Sequence, residues 1–329
     1  MVIVADLGAT KAVLALASSS ADRFILTSIR RYECHNYHSF EDILGQYLED
    51  VASERETSLC VGAAGVVRDN QCYVTNLSWT VNGNELGRKF GFGRVVILND
   101  LVAAGYGLEA LPKEGTEVIN SGEPTAIGNR VLISPGTGLG ETIISFVDGR
   151  YYPLASEGGH ADFAPFDGVS QRLWAYMKNL KETVSVEDVL SGPGIHNIFS
   201  FVVMEAGCKL DELVDKEMQL HPGPAITKRA LSEKDPLAMR TVRLFLDVCA
   251  AEAGNMALKG MATGGVFIGG GIMPHLLPIL DKGRFVNFFS HKGKHQAILE
   301  KMPIKVITDT NLPLYGAAYY ILSATNAGR

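Results

Sequence analysis

Val95-Val96-Ile97-Leu98-Asn99-Asp100 runs four branched apolar residues into an amide and a carboxylate, and Leu101-Val102-Ala103-Ala104 returns at once to apolar residues. The run has no period-2 alternation. It therefore predicts a short strand buried on both faces, as in a sheet covered by helices on each side. Asn99 and Asp100 then fall at the carboxyl end of that strand, where open α/β sheets place their ligands. A carboxylate there loses solvent, so it needs a partner or a chemical task. The competing reading makes Asp100 the N-cap of the helix that follows. The rest of the chain has to weigh the two.

The chain has 329 residues, enough for about two domains at roughly 100–200 residues each. Its 47% hydrophobic and 20% charged content is that of a soluble globular protein with a sizeable core. Thirty basic against 36 acidic residues give a net charge of -6 with no basic stripe, so nucleic acid is not an expected partner. Phosphate would have to be held by backbone amides and a metal. The five cysteines, Cys34, Cys60, Cys72, Cys208 and Cys249, are widely spaced with no C-x-x-C pair. That argues against a disulfide framework or structural zinc site and fits a reducing cytoplasmic compartment. Met1–Asp6 lacks a basic n-region, and Asp6 breaks the apolar run too early for a signal peptide. The Gly-rich run Gly264–Ile272 is too short to span a membrane, so no membrane partner is expected.

Val2–Lys11 reads as a strand ending in a glycine turn, and Ala12–Ala17 as a second strand. The tip of this hairpin carries Asp6, Gly8 and Thr10: glycine for close backbone approach, a hydroxyl, and a carboxylate with affinity for a metal. Val131–Phe146 repeats the design around Pro135-Gly136-Thr137-Gly138-Leu139-Gly140. With Gly8 aligned to Gly138 and Val13-Leu14 to Ile143-Ile144, the copies lie about 130 residues apart. The repeat suggests two related domains facing each other, each offering a glycine turn to one ligand. Neither copy is G-x-G-x-x-G, and no G-x-x-x-x-G-K-[ST] occurs, which disfavours a Rossmann dehydrogenase and a P-loop enzyme.

Other segments place themselves around these hairpins. Ser39–Leu48 predicts a capped helix, Leu59–Ala64 a buried strand and Leu101–Leu108 a helix. Pro112–Gly128 reads as a polar connection between domains. Glu157-Gly158-Gly159-His160-Ala161-Asp162-Phe163 sets a carboxylate and an imidazole around two glycines, which suits close approach of a small ligand; a metal reading lacks further ligands nearby. Ser185–Leu190 predicts a short helix stopped by Gly192-Pro193-Gly194, and Ser232–Asp235 a capping box opening a helix from Pro236 to Leu258. Gly264–Ile272 predicts a buried strand whose terminal glycines leave room for a flat ligand such as adenine. Ile304–Ile307 is the last strand and Leu314–Leu322 the last helix.

Taken in order, Asp6-Leu7-Gly8-Ala9-Thr10, Leu98-Asn99-Asp100, Gly136–Gly140, Glu157–Pro165, Glu187 before Leu190–Gly194, and Gly264–Ile272 resemble the bacterial ATP-dependent glucokinase family of the actin/hexokinase/sugar-kinase superfamily. The resemblance implies two RNase H-like α/β domains with a central cleft, a small one of residues 1–110 plus 303–329 and a larger one of 111–302. It implies ATP and Mg²⁺ as cofactors, glucose as substrate, and a homodimer. It casts Asp100 as catalytic base and Asn99, Glu157, His160 and Glu187 as ligands of the hexose hydroxyls. Asp6, Gly8, Ala9, Thr10 and Lys11 match one phosphate loop, with Asp6 nearest the metal, through water; Gly136, Thr137 and Gly138 match the other, and Gly269 and Gly270 the adenosine region.

Four positions depart from the family pattern. Ala9 stands where a second glycine is usual, Lys11 where asparagine is frequent, Val66 for a frequent proline, and Glu141 where an apolar or small residue is commoner. A Glu141 carboxylate facing ATP would repel phosphate, so it is expected to point away. The cysteine cluster of the related ROK kinases is absent. A kinase for another sugar, such as N-acetylmannosamine or fructose, and a non-enzymatic sugar-sensing regulator are the rival readings.

Overall fold

The computed structural model describes residues 1–20, 23–51, 57–123, 125, 127–210 and 216–326. They form two compact units, Met1–Lys113 with Tyr151–Ala155 and Asp309–Arg329, and Glu114–Arg150 with Ser156–Thr308.

The first unit runs β1 (Val2–Leu7), β2 (Lys11–Ser20), β3 (Arg23–Glu33), α1 (Phe40–Val51), β4 (Ser58–Ala63), β5 (Val67–Arg68), β6 (Gln71–Val74), β7 (Trp79–Asn82), α2 (Gly83–Phe90), β8 (Arg94–Asn99) and α3 (Asp100–Gly107). Its main sheet has the order β3-β2-β1-β4-β8, with β1, β4 and β8 parallel and β2 antiparallel to both of its neighbours. This is the RNase H-like order that the resemblance implies. Successive residues take opposite faces of a strand. Ile3, Ala5 and Leu7 therefore join Ile43, Leu44 and Tyr47 of α1 in one core. Val2 and Val4 join Ala103 of α3 and Leu314, Ala317 and Ile321 of the C-terminal helix Leu312–Asn326 in another. Both faces are covered, and the strands read as unbroken apolar runs for that reason. In β8 this holds fully for Ile97 and Leu98, whereas Val95 and Val96 are half-buried because β8 is the edge strand. Gly316 allows the C-terminal helix to close on α3, since a Cβ there would meet the backbone of Ala103 and lie 2.6 Å from the Gly107 nitrogen.

The second unit holds β9 (Thr116–Asn120), β10 (Arg130–Pro135), β11 (Leu139–Val147), α4 (Gly168–Lys178), α5 (Gly192–Glu205), α6 (Lys216–Leu220), α7 (Pro222–Lys228), α8 (Pro236–Gly260), β13 (Gly265–Ile268), α9 (Met273–Leu276), α10 (Lys282–Ser290), α11 (Gln296–Leu299) and β14 (Ile304–Ile307); the edge strand β12 (Arg150–Pro153) of its sheet starts at Arg150 of this unit. Its sheet order, β12-β11-β10-β13-β14-β9, repeats the first with an extra antiparallel edge. The core beneath it gathers α5 and α8. Val242, Phe245, Cys249 and Ala253 of α8 are fully buried, each large apolar side chain contributing about 1.5–3 kcal/mol.

Several sequence expectations change here. The stretch Pro112–Gly128 holds strand β9, because Ile119 is buried and the strand pairs with β14; residues 124 and 126 lie outside the described residues. Ile304–Ile307, expected with the small domain, pairs with β13 in the second unit, and residues 327–329 of that domain lie outside the described residues. The two glycine hairpins match with a different alignment. Leu7 faces Ala12 and Pro135 faces Leu139, so the second turn is one residue shorter. The N–H of Gly8 donates to Lys11 O at 3.0 Å and that of Gly136 to Gly138 O at 2.8 Å, which pairs Gly8 with Gly136. Residues 185–190 form turns, and Gly192-Pro193-Gly194 opens α5 instead of stopping a helix. Ser191 caps it by accepting from the Gly194 N–H, and proline at the second position suits a helix start. Helix α8 is capped by Asp235 and not Ser232, which lies in the π turn Arg229–Glu233.

Candidate active site

In the first unit the parallel strands β1, β4 and β8 end together. Their register sets Asp6 beside Gly62, and Ala63 beside Asn99. Asn99 is the N-cap of α3: its Oδ1 accepts from the N–H of Leu101 and Val102 at 3.0 and 3.2 Å, and its Nδ2 donates to Gly65 O at 3.1 Å. One amide hydrogen remains for a further acceptor. Asp100 is thus the first residue of the helix and not its cap, with Oδ1 accepting from the Leu101 N–H at 2.9 Å. The positive end of the helix favours its ionised form. Asp6 has the opposite setting. Asp6, at the end of the central strand β1, is half-buried. Burial first, and the Asp100 charge second, push it up to about 7, with Lys11 opposing. Gly62 makes the arrangement possible: a Cβ there would lie 2.9 Å from the Ala103 Cβ and 3.7 Å from the Asp100 Cα. Sequence reasoning missed this residue; the signal was a glycine inside a buried strand.

Gly8 to Lys11 form the turn after β1. The Thr10 carbonyl accepts the Cys34 N–H at 2.9 Å, which ties the turn to the end of β3. Ala9 is half-exposed and is not among the residues with positive φ, so its methyl group brings no backbone strain. Thr10 and Lys11 are exposed, as is Val66.

In the second unit three segments gather around Gly136–Gly140. Glu187 Oε2 accepts the Leu139 N–H at 2.7 Å, and a Cβ on Gly138 would stand 2.5 Å from that oxygen. The Glu187 N–H in turn donates to Gly159 O at 2.9 Å, and the Gly192 N–H donates to Gly136 O at 2.8 Å. Glu187 therefore binds the glycine loop to the turn Gly158–His160. Its Oε1 lies 3.9 Å from His160 Nδ1. Glu157 precedes that turn, and its side chain makes no capping bond; both Glu157 and His160 are exposed. The Gly269 N–H donates to Ile133 O at 2.8 Å. Gly270 has φ +79°, and a Cβ there would lie 2.8 Å from the Pro135 carbonyl carbon, which restricts the position to glycine. Glu141 turns inward, 1% exposed, beneath Gly158.

The residues singled out in the sequence thus fall into two groups. Asp6, Gly8, Ala9, Thr10, Lys11, Asn99 and Asp100 share one end of the first sheet. Gly136, Thr137, Gly138, Glu157, His160, Glu187, Gly269 and Gly270 belong to the second unit. Among the described residues no group of three or more His, Cys, Asp or Glu side chains is arranged to hold a metal, and no helix is long and apolar enough to cross a membrane.

Residues 3–324 match the family model described as Glucokinase. A glucokinase of Nostoc punctiforme is 32% identical over 336 residues, an alignment covering 97% of this chain and 98% of the relative. The crystal structure of a glucokinase from an Antarctic psychrotroph superposes with a TM-score of 0.84 at 28% identity over 98% of each chain. A ROK family glucokinase from Streptomyces griseus, in complex with glucose and AMPPNP, shares the fold at a TM-score of 0.65 and 20% identity, over 96% of this chain and 97% of its own. The chain belongs to the glucokinase family, enzymes that phosphorylate a sugar.

Proposed function

We propose that the protein transfers the γ-phosphoryl group of ATP to the 6-hydroxyl of glucose, with Asp100 as general base. The observation that carries this reading is the contrast between two neighbouring carboxyls. Asp100 opens a helix, where the N-terminal dipole favours negative charge, with its Oδ1 accepting the Leu101 N–H at 2.9 Å, while Asp6 at the end of β1 is pushed up to about 7. An ionised Asp100 can accept the proton of a primary hydroxyl as it attacks.

Mg²⁺ fits this end of the sheet. Two carboxylates that raise each other's cost of ionisation would gain from a nearby cation, and Mg²⁺ needs only one or two protein carboxylates beside phosphate and water. Asp6 would hold the ion, directly or through water. When bound, it supplies positive charge against the charge on the transferring phosphoryl group. The turns Gly8–Lys11 and Gly136–Gly138 offer backbone N–H groups to phosphate, and Gly269 and Gly270 leave space for the nucleoside. Asn99, Glu157, His160 and Glu187 hold sugar hydroxyls, so a sugar lacking one leaves a polar group unpaired.

Asp100→Asn keeps the size and the N-terminal hydrogen bond but removes the base. It is expected to bind glucose normally and to lose about 10²–10⁴ in kcat. Near-normal turnover would show that another group takes the proton.

A further inference from the structure

The Glu141 side chain has no part in the chemistry above, yet it is buried against the loop that carries Glu157 and His160. It projects from β11 and is 1% exposed. Its Oε2 would stand 2.5 Å, and its Cβ 3.2 Å, from a Cβ built on Gly158. Only glycine at 158 lets the turn rest directly on this carboxyl. The Gly158 N–H is already taken by Ser156 Oγ at 2.9 Å, so it does not serve the carboxylate. Glu141 Oε1 is buried and, among the described residues, has no hydrogen-bond partner. An ionised carboxylate with an unpaired buried oxygen is costly, whereas a neutral carboxyl can stay there.

The surrounding charges act in the same direction. From α8 the carboxyl faces Glu252, Lys259 and the Cys249 thiol. Glu252 is itself 7% exposed, 3.8 Å from Lys259 Nζ, and accepts from Asn255 Nδ2 at 2.9 Å. Lys292 donates to Asn255 Oδ1 at 2.7 Å and also acts by charge on Glu252. From the turn itself Glu141 meets Gly158 and the Ser156 hydroxyl, and opposite it on β10 stands Ile133. Lys259 is thus the one cation facing it among these groups, and Glu252 already engages that cation. Burial first and Glu252 second push the Glu141 carboxyl up to about 7, with Lys259 opposing.

We propose that Glu141 is a positioning residue: as a neutral carboxyl it seats the Glu157–His160 turn in its sugar-binding geometry, and its ionisation lifts the turn and weakens glucose binding. This rests on the reading of that turn as part of the sugar site. Glucose binding then takes up protons near neutral pH, and affinity falls as pH rises.

The test is the KM for glucose and for ATP of the intact enzyme from about pH 6 to pH 8, with Glu141→Gln as the permanently neutral form. For the wild type the KM for glucose should rise, toward a limit of about tenfold if the ionised form does not bind, while the KM for ATP stays level. In Glu141→Gln the glucose dependence should flatten; if that variant folds poorly, Glu141→Met serves as an uncharged chain of similar length. Calorimetry of glucose binding in two buffers of different ionisation heat should show proton uptake for the wild type. A flat wild-type profile, an unchanged profile in the neutral variant, or no proton uptake overturns the proposal. Glu157→Gln, run in parallel, separates the two claims. If it leaves the KM for glucose unchanged at every pH, the assignment of the turn to the sugar fails, whatever Glu141 does.

Discussion

Under the proposed function, removing the Glu187 carboxylate should damage both substrate sites at once, because one oxygen anchors the glycine loop while the other lies 3.9 Å from His160. Oε2 accepts the Leu139 N–H at 2.7 Å, a charge-assisted bond worth about 1.5–3 kcal/mol. Leu139 is 8% exposed, so in Glu187→Ala its N–H has little water to replace the lost acceptor. The loss of about 2 kcal/mol is taken from the glycine loop Gly136–Gly140 and corresponds to about a 30-fold rise in the KM for ATP. Glu187→Gln keeps a neutral acceptor and should cost about 1 kcal/mol, or about fivefold. Gly138→Ala attacks the same bond from the other side, since its Cβ would lie 2.5 Å from Oε2. Both Glu187 variants should also raise the KM for glucose, whereas Glu157→Gln should raise that value alone. The assay is steady-state ADP release, varying each substrate with the other saturating. In the double variant the effects of Gly138→Ala and Glu187→Ala on the ATP site should be far from additive. If Glu187→Ala raises the KM for glucose and leaves ATP untouched, the bond to Leu139 does not hold the loop and the reasoning fails.

Gly159→Ala would force a methyl group against the Leu139 carbonyl, 2.9 Å from the Leu139 Cβ, and would displace the carbonyl that accepts from Glu187. A shift of that size should cost about 10²-fold in kcat/KM for glucose while a folded CD spectrum is retained; wild-type kcat/KM would show that the turn has room to move. Glu141 also sets a trend in stability. Its carboxyl is raised from 4.5 to about 7 in the folded state, so the stability it contributes is complete below about pH 4.5 and is lost as pH rises through 7. The stability of Glu141→Gln relative to wild type, read from urea unfolding, should therefore grow by about 2.5 kcal/mol between pH 5 and pH 8; a constant difference would mean that the buried carboxyl does not titrate there.

Much of the fold was legible because both faces of the two larger sheets are covered. The apolar runs at residues 2–7, 59–63 and 131–135 follow from that covering, and the repeated glycine hairpins announced two related halves. Strand β9 was hidden because its residues Glu117 and Val118 are exposed at a sheet edge, which leaves a polar sequence. The role of Gly192-Pro193-Gly194 was misread because proline and glycine mark both ends of helices, and only the Ser191 cap distinguishes the start. The candidate site was legible as residue types and hidden as contacts. No spacing rule predicts that Glu187 reaches the backbone of Leu139, or that Glu141 packs beneath Gly158. Such contacts come from strand register and from turns that bring distant segments together.

The most direct test is to supply ATP, Mg²⁺ and glucose and to follow ADP and glucose 6-phosphate together, the latter through glucose-6-phosphate dehydrogenase. ADP release that depends on glucose, an equal yield of the 6-phosphate, and loss of both in Asp100→Asn are expected. ADP release that ignores glucose, or that proceeds without the 6-phosphate, would contradict the proposed function.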